Sequence, residues 1–164
     1  MLRKALVPVS FHERPGKLRA MGSLLRSLGT SDAVLLHVGR PNSRRLDALA
    51  SELSEAGLRV ESATRSGSTQ MRIVESANDW GADFIAFAFK KKSILRRAIM
   101  GSTIKDVIRQ SDIPVFVFKE PPPWRSSDDT FRVMYATSLQ WGDDIILSYI
   151  RDRRFQAEDM VLLH

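Results

Sequence analysis

The feature that most constrains the fold is an alternation of short apolar runs and amphipathic segments through the first 119 residues. Five runs have the length and composition of β-strands, and they are residues 5–9, 32–38, 58–64, 82–89 and 113–119. Between them, apolar residues recur every three or four positions, which is the period of an α-helix. Strict alternation of this kind is typical of a parallel sheet whose strands are joined by crossover helices. We therefore predict an α/β fold.

Four helices are predicted between these strands, and glycines end three of them. The first runs from Pro15 to Gly29, the second ends at Gly57, and the third spans 69–80. The fourth begins near Thr103. The side chains expected to face inward lie on one side of each helix and are Leu18, Met21, Leu24, Leu25, Leu28, Leu46, Leu49, Leu53, Met71, Val74 and Ala77.

Right-handed crossovers determine the strand order of such a unit. The expected architecture is a doubly wound five-stranded parallel sheet with strand order 3-2-1-4-5, followed by a C-terminal partial βαβ repeat. The order reverses between the first and fourth strands, and ligands of open sheets lie beside that switch point, at the carboxyl ends of the strands. The loops after Val9 and after Phe89 are therefore the expected place for a site.

Domain boundaries follow from composition. Residues 120–130 contain three consecutive prolines and then mainly polar residues, so we predict a linker between a domain at 1–119 and a shorter unit at 131–164. Residues 131–138 have the shape of the first strand with its following serine, and 160–164 nearly copy 33–37. We interpret this likeness as an internal repeat. A single βαβ piece buries too little surface to stand alone, so it should dock on the first domain, pair with another copy of the chain, or begin a tandem domain.

Charge and composition restrict the class of protein. The chain has no cysteine, which excludes disulfides and thiolate chemistry, and no apolar run approaches the roughly 18 residues of a membrane span. We therefore expect a soluble cytoplasmic protein. The net charge of +6 arises in residues 1–124, which hold 20 Lys and Arg against 12 Asp and Glu. Such an excess favours an anionic partner.

The sequence contains no recognisable catalytic constellation. His12, His37 and His164 have separations that form no helical metal-binding pair, and satisfied loop or strand-end histidines are the simpler reading. A nucleophile elbow, a Walker-type phosphate loop and a dinucleotide-binding glycine motif are all missing. No catalytic or metal-ligating residue is predicted.

The segment 86–108 contains the candidate anion site. Gly101, Ser102 and Thr103 lie at the start of the fourth helix, where free backbone N–H groups and the positive end of the helix dipole favour an anion. An ordinary helix cap beside a solvated basic loop is the alternative that these residues leave open. The loop before the helix holds five cations and no acid, and the cations are Lys90, Lys91, Lys92, Arg96 and Arg97.

The strand alternation, the opening "ALVPVS", the strand "VLLHV" and the segment "SILRRAIMGSTIKDVIRQSDIPVFVF" together resemble the universal stress protein family. The likeness covers residues 3–119 and implies the adenine nucleotide alpha hydrolase-like fold. Tandem domains are common in that family, which agrees with a partial second repeat. Family dimers commonly pair through the last strand, so the resemblance implies a homodimer through Val115, Phe116, Val117 and Phe118.

The resemblance also implies a nucleotide site, with departures from the family pattern. The last glycine of the family motif and its following hydroxyl residue match Gly101 and Ser102. The two earlier glycines fall on Ala88 and Lys91, and the acidic residue that ends the first strand falls on Ser10. A lysine in place of glycine leaves less room for a phosphate to approach the backbone, and it adopts a positive φ less readily. The candidate cofactor-binding residues are Gly101, Ser102, Thr103, Ser10, Val38, Ala88 and Lys91.

Three functions follow as hypotheses. The first is a regulatory protein, not an enzyme, that acts by association as a dimer or tandem and has a degenerate site with weak or no ATP binding. The second is a stress-response switch that holds ATP, with Mg²⁺, at Gly101 and Ser102. The third is nucleic-acid binding through the basic loop 90–97, which is disfavoured because Phe87 and Phe89 belong to a core strand and no aromatic residues are interleaved with the charges.

Overall fold

A computed structural model describes residues 2–89, 102–119, 131–136 and 157–163. The elements are β1 (Lys4–Val9), α1 (Lys17–Ser27), β2 (Asp32–Val38), α2 (Ser43–Glu55), β3 (Arg59–Arg65), α3 (Thr69–Asp79), β4 (Phe84–Phe89), α4 (Ser102–Gln110), β5 (Val115–Lys119), β6 (Phe131–Ala136) and β7 (Ala157–Leu163). From β1 to β5, strands and helices alternate as predicted.

The first five strands form one sheet in the order β3-β2-β1-β4-β5, and each neighbouring pair is parallel. The predicted fold class and strand order are therefore confirmed. β4 begins two residues later than the apolar run predicted, because Asp83 is engaged with the start of β1. Its Oδ2 atom accepts hydrogen bonds from the backbone N–H groups of Arg3 and Lys4, both at 2.8 Å.

The core lies on both faces of this sheet. On one face, side chains such as Val7 and Leu35 pack against α1 and α2, and on the other, Leu6 and Val34 pack against α3 and α4. Burial on both faces explains why β1 and β2 are nearly continuous apolar runs. Among the described helices, none is both long and apolar enough to span a membrane.

The inward face of α3 differs from the prediction at one position. Met71 is 53% exposed, although we expected it in the core. The helix instead buries Ile73, Ser76 and Ala77, with Val74 partly buried beside them. Met71 precedes Ile73 by two residues, which corresponds to about 200° around a helix, so the two side chains cannot share one face.

β6 and β7 form a separate parallel pair. The linker at 120–130 and the helix expected between the two strands lie outside the described residues. The pairing register nevertheless matches that of the first unit. Lys4 pairs with Asp32 in the first unit, and the corresponding residues of the second unit, Arg132 and Asp159, also pair with each other. The residues that follow in the two ladders correspond in the same way. This is the register that a repeat requires, and the repeat itself stays a prediction.

Candidate functional site

The carboxyl ends of β1, β2 and β4 meet at one edge of the sheet. Val9 lies opposite His37 in the β1–β2 ladder, β1 pairs with β4 through Ala5 and Leu6, and Ala88 is the last residue but one of β4. Ser10 follows β1 directly, and Val38 is the last residue of β2. Three residues predicted from the sequence, Ser10, Val38 and Ala88, therefore lie at the carboxyl ends of three neighbouring strands, beside the switch point of the sheet.

The phosphate end of the predicted site is described only in part. Ser102 is exposed at the first position of α4, and Thr103 beside it is half-buried. Gly101 and Lys91 lie outside the described residues, as does the basic loop 90–97. The structure thus gives the start of α4 without the loop that precedes it.

Ser10 is held by a carboxylate that the sequence interpretation missed. Glu13 Oε1 accepts hydrogen bonds from the backbone N–H of Ser10 at 2.8 Å and from its hydroxyl at 3.0 Å. Within the described residues, the other oxygen, Glu13 Oε2, is buried and has no hydrogen-bond partner. A buried oxygen left without a donor costs about 1–3 kcal/mol. The available signal was an acid three residues after a serine, a spacing that a tight turn brings together.

Phe11 and His37 form an aromatic wall at the carboxyl ends of β1 and β2. Their rings stack at a centroid distance of 3.7 Å and an interplanar angle of 24°. His37 is 8% exposed, and its Nδ1 atom lies 3.0 Å from the carbonyl oxygen of Val9. A carbonyl oxygen only accepts, so Nδ1 donates and carries the ring proton. Gly39, at φ 144°, passes close to the other ring nitrogen, where a Cβ atom would lie 3.1 Å from Nε2.

The N-terminus of α1 is occupied by a side chain from α2. Glu52 accepts hydrogen bonds from the backbone N–H groups of Gly16 at 3.0 Å and Leu18 at 3.1 Å. At α2, the side chain of Asn42 accepts from the N–H of Arg45 at 3.1 Å. Side chains therefore engage the starts of α1 and α2, whereas, among the described residues, Ser68 at the start of α3 forms no side-chain cap bond. Because α3 follows the edge strand β3 and α4 follows β4 beside the switch point, α4 is the better candidate for an external anion.

A second cleft lies at the opposite edge of the sheet and has a different character. It has a volume of about 680 Å³, and acids and bases alternate along its lining. Arg59 donates two hydrogen bonds to Asp32, at 2.7 and 2.9 Å. These bonds, followed by one from Ser31, hold the pKa of Asp32 below its ordinary value. The charges are paired within the chain, so this cleft offers a ligand little net charge.

The switch-point edge brings polar, aromatic and helix-start groups to the same end of the sheet. It combines a carboxylate acceptor at Glu13, an aromatic wall at Phe11 and His37, and a helix start at Ser102. In the part of the chain that the structure describes, no group of three or more His, Asp or Glu side chains is placed to hold a metal ion. The arrangement suits a ligand that has both hydrogen-bond donors and an anionic group.

Comparison with known sequences identifies related proteins. A sequence model of the universal stress protein family matches residues 28–119. Universal stress protein MJ0577 of Methanocaldococcus jannaschii is 31% identical over 75 residues, which is 46% of this chain and 46% of that protein. The match therefore spans less than half the length of that relative.

Comparison with solved structures gives the same fold. A universal stress protein from Archaeoglobus fulgidus DSM 4304 superposes with a TM-score of 0.69 at 18% identity, over 99% of this chain and 66% of that chain. The universal stress protein from Archaeoglobus fulgidus in complex with dAMP has a TM-score of 0.53 at 20% identity, over 71% and 98% of the two chains. A universal stress protein family protein from Arabidopsis thaliana with AMP bound has a TM-score of 0.52 at 16% identity, over 77% and 97%. At these identities the likeness shows the fold alone.

Proposed function

The chain belongs to the universal stress protein family, and on that premise we propose that it is a stress-response regulator that binds an adenine nucleotide weakly at the carboxyl edge of its sheet. The nucleoside lies beside the ends of β1 and β2, near Ser10 and Val38. The phosphate lies at the start of α4, near Gly101, Ser102 and Thr103. Support comes from two proteins of the same fold that carry dAMP and AMP.

The observation that carries the proposal is the set of polar groups at the switch point. Ser10 and Glu13 follow β1, and the exposed Ser102 opens α4, which follows the neighbouring strand β4. Ligands of doubly wound sheets bind in this crevice. Glu52 and Asn42 already engage the starts of α1 and α2, and α3 follows the edge strand β3, so we place the phosphate at α4.

Weak affinity for the triphosphate follows from the residues that replace the family glycines. Ala88 lies half-buried against the core, so its methyl group takes space that a glycine leaves to a ligand. Lys91 adds a positive charge at the second position but a bulkier side chain. We expect the chain to bind ATP no more tightly than AMP, and Mg²⁺ to improve ATP binding only slightly.

Titration calorimetry with AMP and with ATP, each with and without Mg²⁺, tests this proposal. A negative charge at the start of α4 opposes a phosphate, so Ser102→Glu should weaken AMP binding about tenfold. Ser23→Glu makes the same change on an exposed position in the middle of α1 and should leave binding unchanged. Lack of binding by the wild-type chain at millimolar nucleotide would contradict the proposal.

Association through β5 is a second candidate function. β5 lies at the end of the five-stranded sheet, where β4 is its one neighbour among the described strands. An edge strand presents unpaired backbone N–H and C=O groups that add readily to another strand. We propose that two copies of the chain pair through Val115, Phe116, Val117 and Phe118.

A further inference from the structure

The loop at residues 10–13 combines two unfavourable features at the edge of the sheet. Phe11 has φ 65°, in the left-handed region that bulky side chains seldom adopt. Among the residues that the structure describes, none donates to the buried Oε2 atom of Glu13. Strained backbone and unsatisfied polar atoms of this kind concentrate at binding sites, where a ligand relieves them.

The orientation of the Glu13 carboxylate is set by Ser10. Both donors of Ser10, the backbone N–H and the hydroxyl, point at Oε1. Oε2 is therefore the oxygen left over, and as a carboxylate oxygen it can only accept. A partner for it must bring an N–H or O–H group. The strain at Phe11 raises the free energy of the loop in its present conformation. A conformational change that exposes Oε2 to such a partner therefore costs less free energy than it would in a relaxed loop.

We propose that Glu13 reads the nucleoside part of the ligand, with Oε2 accepting a hydrogen bond from a donor of adenosine. This inference rests on the proposed function, since it assumes that an adenine nucleotide occupies the edge. Adenosine offers two kinds of donor, the 6-amino group of the base and the hydroxyls of the ribose. Glu13 is thus a specificity-determining residue of the same site, and the sequence motif of glycines does not include it.

Nucleotides that differ in these donors show whether Oε2 of the wild-type chain accepts from the 6-amino group or from a ribose hydroxyl. Purine riboside monophosphate lacks the 6-amino group and gains no donor, inosine monophosphate has a carbonyl oxygen in its place together with a new N1–H donor, and 2′-deoxy- and 3′-deoxy-AMP each lack one hydroxyl. A hydrogen bond to a charged acceptor is strong, so removal of the donor that meets Oε2 should weaken binding about tenfold or more relative to AMP. The other ligands should bind like AMP.

Glu13→Gln provides the complementary change on the protein. The N–H of Ser10 needs an acceptor, so the glutamine carbonyl stays on Ser10 and its NH₂ group takes the place of Oε2. An NH₂ group cannot accept from the 6-amino group but can donate to the inosine carbonyl. If the base is read, Glu13→Gln should weaken AMP binding about tenfold and bring inosine monophosphate level with AMP or above it. If a hydroxyl is read, its oxygen can accept from the new NH₂ group, so the variant should lose only the charge-assisted part of the bond and discriminate less strongly against the deoxy ligand than the wild type does.

The outcomes are distinct. Equal binding of AMP, purine riboside monophosphate, inosine monophosphate and both deoxy ligands by the wild-type chain would overturn the inference, and so would a Glu13→Gln variant whose order of preference and discrimination among these ligands match those of the wild type. Glu55→Gln, the same substitution on an exposed position of α2, should leave all affinities unchanged. If the wild-type chain binds none of these nucleotides, the proposed function fails, and the inference fails with it. The wild-type comparison stands even if Glu13→Gln does not fold.

Discussion

The ring of Phe11 stacks on the ring of His37 at 3.7 Å, and the same residue has a backbone φ of 65°. In that conformation the Cβ atom of an L-residue crowds the following carbonyl oxygen. Glycine avoids this cost but has no ring to stack. The backbone strain at Phe11 is therefore accompanied by a ring contact with His37 that glycine could not form. The positive φ also turns the chain so that Glu13 can accept from Ser10.

Substitution of Phe11 should separate the backbone strain from the stack. Phe11→Ala removes the ring and keeps the strain, so we expect its free energy of unfolding to fall by about 1–2 kcal/mol. Phe11→Gly also loses the ring but adopts positive φ freely. We expect it to be more stable than Phe11→Ala by about 0.5–1 kcal/mol. Urea unfolding of the two variants measures the difference.

Ser51, exposed within α2, supplies the control for that comparison. In a helix interior, glycine is less favourable than alanine by about 1 kcal/mol. Ser51→Gly should therefore be less stable than Ser51→Ala, the reverse of the order at Phe11. The same order at both positions would show that Phe11 is not strained.

Phe11 also shows where prediction from the sequence succeeds and where it stops. The bounds of β2 were predicted correctly because a strand buried on both faces is one unbroken apolar run. The contact between Glu13 and Ser10 was missed because it depends on a positive φ at an aromatic residue, which no propensity indicates. Met71 was predicted to face inward because the apolar residues of α3 are compatible with two different buried faces of the helix. Only packing against the sheet selects the face that contains Ile73.

Glu52 links α2 to the start of α1 through two hydrogen bonds, at 3.0 and 3.1 Å. Removal of both acceptors leaves two backbone N–H groups without partners at a helix start. We expect Glu52→Ala to lower the free energy of unfolding by about 1–2 kcal/mol. Glu52→Gln keeps one acceptor oxygen and should lose about half as much.

Glu55 is the matched control for this cap. It lies one turn further along α2 and forms an exposed ion pair with Arg19. Exposed pairs contribute little, so Glu55→Ala should cost less than about 0.5 kcal/mol in thermal or urea unfolding. Equal losses for Glu52→Ala and Glu55→Ala would mean that the cap stabilises nothing beyond an ordinary surface pair.

Gly22 marks the closest approach of α1 to the end of α2. A Cβ atom at this position would lie 2.7 Å from the Cβ of Ala56 and 3.3 Å from a methyl group of Leu53. Although alanine favours a helix, we expect Gly22→Ala to destabilise the protein by about 1–3 kcal/mol because the two helices must separate. Adding Ala56→Gly removes the nearest atom and should restore part of the loss, as a double-mutant cycle would measure. Additive effects would contradict the contact.

Asp32 should make part of the stability depend on acid pH. Hydrogen bonds from Arg59, and then from Ser31, lower its pKa below the ordinary 3.8, although burial opposes this. A depressed carboxyl pKa contributes stability that is present above the unfolded value and lost as pH falls through the folded one. Asp32→Asn should therefore be less stable than the wild type at neutral pH, and the difference should shrink between about pH 4 and pH 2. The difference in the free energy of unfolding between the wild type and Arg59→Gln should shrink over the same pH range. Parallel pH profiles of the free energy of unfolding for all three proteins would contradict this role of Asp32.

Val117 is the position at which to test association through β5. Phe116 and Phe118 pack on one face of the sheet and Val115 on the other, while Val117 remains half-buried. A lysine on an edge strand hinders the addition of another strand.

In size-exclusion chromatography with light scattering, we expect the wild-type chain at twice its 18.5 kDa mass and Val117→Lys at the monomer mass. Ser62→Lys, on the exposed edge strand β3, should remain a dimer. A wild-type monomer at every concentration, or dissociation of both variants alike, would rule out β5 as the interface.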